Sequence, residues 1–256
     1  MNKNKPLILV VNDDGISSPG IILLTSIMRE IGEVYVVAPQ HNCSGYSHAM
    51  TLNQEISVYN INTQKHEFAC SGTPVDCVKL AFNKILPYKP DLCVSGINHG
   101  SNHSINGWYS GTLHAAMEAT IQGVPSISFS HLSYDNKKSL NSFKSIISSI
   151  SKKVLKNNCL DNITLNINFP DTNYSNIKGL RLCVPAKGVW REDFQLIEDN
   201  DLEKKYLISG KFNSDKTNLF TDSWALDNNF ISIVPVSLYP QSKEILSKLK
   251  FLENVF

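Results

Sequence analysis

The chain has 256 residues, enough for one large α/β domain with a small appendage. Hydrophobic residues make up 42% and charged ones 18%, so a sizeable core can form and a disordered chain is excluded. Twenty-four Lys and Arg against 23 Asp and Glu leave a net charge of +1, which offers no bulk attraction to nucleic acid or an anionic membrane; a small anion needs only one local site.

Leu7 to Val11 is a continuous apolar run, the pattern of a strand buried on both faces. A helical pattern follows over about Gly20–Ile31, then a second apolar strand over Val34–Ala38. Thr73-Pro74-Val75-Asp76 reads as a helix start, with Thr at the N-cap, Pro at the first position and Asp at the third, and that helix is expected to reach about Leu86. Asp91–Ser95 and Ser126–Ser130 read as buried strands around a helix over Thr112–Gln122. Strands alternating with helices predict βαβ units, a parallel sheet and helices on both of its faces. Further on, Leu140–Lys156 reads as an amphipathic helix, and Ile163–Phe169, Leu180–Val184 and Phe230–Val236 as strands. The polar stretch from about Val189 to Trp224, with its scattered aromatics, reads as a long hairpin or arm outside the core.

Six cysteines, with no CxxC pair, read as free thiols of a reducing compartment. The N-terminal apolar run is too short for a signal peptide and no stretch approaches the ~20 apolar residues of a membrane span, so a cytoplasmic location is expected.

Three loops carry the chemistry. Asn12-Asp13-Asp14-Gly15 directly follows the first strand, where an open parallel sheet binds ligands. Ser44-Gly45 lies in the loop after the second strand. Ser95 to Asn102 leaves the third and leads to Tyr109-Ser110-Gly111-Thr112 at a helix start, whose free N–H groups and dipole favour an anion. Taken singly, each piece is also an ordinary turn or cap. Together they bring two carboxylates, a hydroxyl, a carboxamide and a helix start to one edge. An oxygen-only donor set suits a hard cation such as Mg2+ or Mn2+. A phosphate dianion beside Asp13 and Asp14 would be repelled by ~4 kcal/mol per charge pair at ~4 Å and an effective dielectric of ~20. A divalent cation reverses that repulsion and polarises the P–O bond.

The blocks VNDDGISSPGI, APQHNCSGYSHAMT, SGTPVDCVKLA and PDLCVSGINHGSNHSINGWYSGTLHAAMEA resemble, in order, the signature blocks of the survival protein SurE family over roughly residues 7–130; LNINFP and FISIVPVS echo it further on. The resemblance implies a Rossmann-like three-layer α/β sandwich with a mainly parallel sheet, and a C-terminal β-hairpin or arm used for oligomerisation. Residues 1–256 would form one domain, with 1–135 as the core carrying the active site and about 185–256 as an extension with an exchanged arm and tail. It implies a phosphatase acting on nucleoside 5′- and 3′-monophosphates, and activity on short polyphosphate stays open. One divalent cation per subunit (Mg2+ or Mn2+) would be held by Asp13, Asp14, Ser44 and Asn98. Asp13, Asp14 and Asn98 would be catalytic, and Asn102, Ser110, Gly111 and Thr112 would hold the phosphate. Self-association as a homodimer or homotetramer is implied too, with no nucleic acid or membrane partner. His103 and His114 stand where small residues are expected, and CVPAKGVWRED fits the pattern poorly, so no role carries over to Lys187, Trp190 or Arg191.

Two other readings stay open: a phosphatase that forms an aspartyl-phosphate on Asp13, and a nucleotide-binding module without catalysis. The first expects a spaced DxD where this chain has adjacent acids, and the second lacks both GxGxxG and GxxxxGK[ST]. The lack of a basic run favours monophosphates over triphosphates. The aromatics of the 189–224 segment, with the stripe Ile245, Leu246, Leu249, Leu252 and Phe256 in the tail, read as an oligomer interface.

Overall fold

The computed structural model describes residues 5–133, 140–157, 160–200, 202–239 and 250. The apolar tail stripe from Ile245 to Phe256 lies outside them. The chain opens with β1 (Leu7–Val11), α1 (Pro19–Arg29) and β2 (Glu33–Pro39), then a pair not read from the sequence, β3 (Val58–Asn62) and β4 (Glu67–Cys70). Next come α2 (Pro74–Leu80), β5 (Leu92–His99), α3 (Gly111–Ile121), β6 (Ser126–His131), α4 (Lys144–Asn157) and β7 (Ile163–Phe169). The remainder holds β8 (Gly179–Leu182), the hairpin β9 (Gly188–Asp199) and β10 (Lys204–Ser214), α5 (Asp222–Asp227) and β11 (Phe230–Ser237).

Among the described residues nine strands form one sheet in the order β3-β4-β2-β1-β5-β6-β7-β11-β8. From β4 to β7 all neighbours are parallel; β3 and β11 run antiparallel to β4 and β7. The strand order reverses direction between β1 and β5, the switch point where open α/β sheets place ligands. All five residues of β1 are fully buried because both sheet faces are covered. Ile8 and Val10 point into a core shared with Ile21, Leu24 and Met28 of α1 and with Ile147 of α4. Leu9 and Val11 point the other way, against Cys77 and Val78 of α2 and Ala115 and Ala119 of α3. The α/β three-layer reading thus holds, with each buried aliphatic side chain contributing ~1.5–3 kcal/mol.

Local signals behave as their chemistry dictates. Thr73 accepts from the Asp76 N–H and Asp76 accepts from the Thr73 N–H, a complete capping box, and α2 ends in a π-helical turn over Ala81–Ile85. β5 runs to His99, beyond the expected Ser95, because it resumes pairing with β6 after an irregularity between Ser95 and Asn98. Gly96 makes that possible: its φ is +127°, and a Cβ there would stand 2.3 Å from the Phe129 carbonyl oxygen.

The 189–224 segment contains the expected hairpin, which among the described residues pairs only with itself. It also contains part of α5, which the sequence reading missed. Thr221 caps that short helix by accepting from the Trp224 N–H. Trp224 stacks on Phe230, and the Arg181 guanidinium lies 4.7 Å from the Trp224 ring, so this tryptophan packs on its own chain. The cysteines among the described residues are free and buried. No helix among those residues is long and apolar enough to cross a membrane.

Candidate active site

Asp13 sits one residue beyond Asn12 at the end of β1 and is 2% exposed. Its carbonyl accepts from the Cys43 N–H at 2.7 Å, which ties the loop after β2 to the end of β1 and brings Ser44 to the same place. Asn12 closes the turn into α1 by donating to Gly15 O and Ser18 Oγ. Asn98, at the resumed end of β5, donates its amide to Gly100 O at 2.9 Å, which turns its carboxamide oxygen the other way. The Asp14 carboxylate accepts from the His99 N–H at 3.4 Å.

The start of α3 faces these groups. Ser110 is the N-cap, accepting from the Leu113 N–H, and the Thr112 hydroxyl donates to Asp13 Oδ1. Gly111 is required by proximity: a Cβ there would lie 2.8 Å from Asp13 Cβ and 2.9 Å from Oδ2. The helix start therefore serves Asp13 first. Burial still dominates and pushes the Asp13 carboxyl up to about 6, with the Asp14 charge adding to it and the Thr112 hydrogen bonds opposing. Burial likewise raises Asp14, against the His99 hydrogen bond.

Asn102 is held on three sides. Its backbone N–H donates to Asn168 Oδ1, its amide to Ser130 Oγ, and its carbonyl accepts from the Asn166 amide, each at 2.8 Å. Asn166 and Asn168 alternate along β7, so the LNINFP motif is a buried polar clamp on the Asn102 loop. That alternation was visible in the sequence, yet its role was not.

A cleft of about 430 Å3 joins these parts. Of the predicted residues, Asp13, Ser44, Asn98, Asn102 and Ser110 line it, whereas Asp14, Gly111 and Thr112 do not. His99 lines it as well, lowered in pKa by burial and with Nε2 lacking a hydrogen-bond partner among the described residues. The opposite wall comes from the hairpin: Trp190, Glu192 and Ile208. The Trp190 indole N–H donates to Asn106 Oδ1 at 2.7 Å, so the hairpin is latched to the loop between β5 and α3. The sequence places Trp190 among the interface aromatics, carries no substrate role over to it, and does not single out Asn106, Glu192 or His99. His103 packs edge-on against Phe212, and His114 is buried with Nδ1 on Ser110 O; burial lowers both pKa values, against the Asp222 charge for His103 and the Ser110 hydrogen bond for His114.

The donor chemistry fits a hard cation. Among the described residues no group of three or more His, Cys, Asp and Glu gathers as a metal cluster. The set instead joins two carboxylates to the neutral oxygens of Ser44 and Asn98, and Ser44 Oγ at present donates to Asn42 Oδ1 at 2.6 Å. A buried carboxyl pushed up to about 6 beside a second carboxylate is a site short of positive charge. No Lys or Arg among the described residues lines the cleft to supply it.

Comparison with known proteins agrees with this frame. Residues 8–192 match the family model described as "Survival protein SurE". The chain belongs to the survival protein SurE family. A SurE relative from Flavobacterium psychrophilum, named 5′-nucleotidase SurE, is 48% identical over 236 residues, covering 91% of this chain and 92% of that one. Another of the same name, from Bacteroides fragilis, is 37% identical over 99% of this chain and 100% of its own. The crystal structure of the SurE protein from Aquifex aeolicus superimposes with a TM-score of 0.85 at 35% identity, covering 97% of this chain and 100% of that one.

Proposed function

We propose that this SurE-family chain is a divalent-metal-dependent phosphatase that hydrolyses nucleoside 5′- and 3′-monophosphates to nucleoside and phosphate. One observation carries the reading: the buried Asp13 carboxylate, with Asp14 next to it along the chain, meets the Ser110 helix start at a cleft that has no Lys or Arg in its lining among the described residues. The relatives named 5′-nucleotidase SurE support the substrate class.

Asp13, Asp14, Ser44 and Asn98 would hold one cation, Mg2+ or Mn2+, per subunit. When bound, the cation supplies the positive charge that lets a phosphate dianion approach two carboxylates and that polarises its P–O bonds. The protein's own groups orient and exclude. Thr112 holds Asp13 in place through Oδ1. The Asn102 amide has one N–H given to Ser130, which leaves the other for a phosphoryl oxygen. Ser110 and the N–H of Gly111 complete an anion cradle at the α3 start. Preorganised donors of this kind contribute because they need no reorganisation as charge develops.

We also read residues 1–256 as one domain whose extension, about 185–256, serves self-association as a dimer or tetramer. Phe194, Tyr206 and Phe220 are 59%, 53% and 70% exposed, which supports a second copy as partner. A reducing, cytoplasmic compartment is consistent with the free thiols among the described residues.

The test is a phosphate-release screen over nucleoside monophosphates with Mg2+, Mn2+ and EDTA. Release with either metal, abolished by EDTA and restored by readdition, is expected. Full turnover in rigorously metal-free protein would remove the cation from the reading.

A further inference from the structure

The cleft is asymmetric. One end holds the carboxylates, the amides and the α3 start; the other is the hairpin. In the β9–β10 ladder Trp190 opposes Phe212, Glu192 opposes Gly210 and Phe194 opposes Ile208, so these six side-chain positions share one face. That face is apolar apart from Glu192. Trp190 is half-buried and fixed at its indole N–H by Asn106, at its ring by Phe212 with centroids 5.7 Å apart. Gly210 has no side chain to cover Glu192 from across the ladder. A rigid aromatic plane and a lone carboxylate thus stand across from the phosphate end, in a cleft of about 430 Å3.

We propose that this hairpin wall is the nucleoside subsite, with Trp190 as the stacking platform for the base and Glu192 as the residue that selects for a single phosphoryl group. The proposal rests on the phosphatase reading above and names the specificity determinants of that same site. Every nucleobase has a π face, so a tryptophan platform accepts purines and pyrimidines alike. A carboxylate only accepts hydrogen bonds. It therefore favours the hydroxyl and amino donors of a neutral nucleoside and opposes a second phosphoryl group, whose charge no Lys or Arg offsets in the lining formed by the described residues.

The experiment compares wild type, Trp190→Ala, Trp190→Phe and Glu192→Gln on adenosine 5′-monophosphate, adenosine 5′-diphosphate and ribose 5-phosphate, in Mn2+. Trp190→Ala should lower the kcat/KM ratio of adenosine monophosphate to ribose 5-phosphate by about tenfold, and Trp190→Phe should restore most of it. Glu192→Gln should raise the diphosphate-to-monophosphate ratio by roughly tenfold, ~1.4 kcal/mol. Ratios are read because a loosened hairpin would depress all substrates together. Equal losses with and without the base, or an unmoved diphosphate ratio, would overturn the assignment. A wild type that releases phosphate from none of the three would defeat the phosphatase reading instead. The subsite is then read by adenosine quenching of tryptophan emission, expected in wild type and lost in Trp190→Phe; no quenching in wild type would overturn the subsite as well.

Discussion

Replacing Asp13 by Asn should cost activity while strengthening the metal-free fold. The Asp13 carboxyl is raised from 3.8 to about 6, chiefly by burial. That is about two units, and each unit is ~1.4 kcal/mol, so ionised Asp13 opposes folding by roughly 3 kcal/mol when no cation is bound. The sign follows from proton counting. Between pH 3.8 and about 6 the native state binds the proton more tightly than the unfolded chain. Stability therefore falls as pH rises through that window, and the whole penalty is present at neutral pH and above. The substituted asparagine would carry no charge and could still accept from the Thr112 hydroxyl. Its amide would meet the Thr112 N–H less well, a loss of ~1 kcal/mol, which leaves a net gain of about 2 kcal/mol. For a chain of this size that raises Tm by about 4–8 °C. The assay is thermal and urea denaturation in EDTA at pH 7.5 and pH 5, where the two proteins should converge at the lower pH. With Mn2+ the order should reverse: a cation at about 100 times its Kd adds ~2.7 kcal/mol to wild type and much less to the variant. Turnover should fall about 100-fold or more. A variant no more stable than wild type in EDTA at pH 7.5, or one with near-normal turnover, would refute this account of Asp13.

Gly111→Ala should fold normally and lose about 100-fold in kcat/KM, because its Cβ would press on Asp13 from 2.8 Å and shift the carboxylate; an unchanged circular dichroism spectrum with full activity would contradict that close approach. In light scattering after size exclusion, the wild type should run as a dimer or tetramer. The pair Phe194→Ser with Tyr206→Ser should weaken that assembly at micromolar concentration, and a fully active wild-type monomer would refute the interface.

Local chemistry made much of this protein legible before any coordinates. β1 is an uninterrupted aliphatic run because both faces of the sheet are covered, and the α2 start is spelled out by Thr73, Pro74 and Asp76 because a capping box closes within four residues. The meeting of Asp13, Ser44 and Asn98 also followed, since parallel strands deliver their carboxyl ends to one edge. Other features had no local signature. β3 and β4 are short and half-polar, held by a neighbouring strand more than by their own pattern, and α5 has only 6 residues. The donation of the Thr112 hydroxyl to Asp13 is likewise visible only in the packing. Trp190, Phe212 and Trp224 read as interface aromatics because sequence shows that an aromatic must be buried and not against what. Tertiary structure places Trp190 in the wall of the cleft with Phe212 packed against its ring, and Trp224 over the sheet end, through contacts between residues far apart along the chain, Asn106 with Trp190 and Arg181 with Trp224.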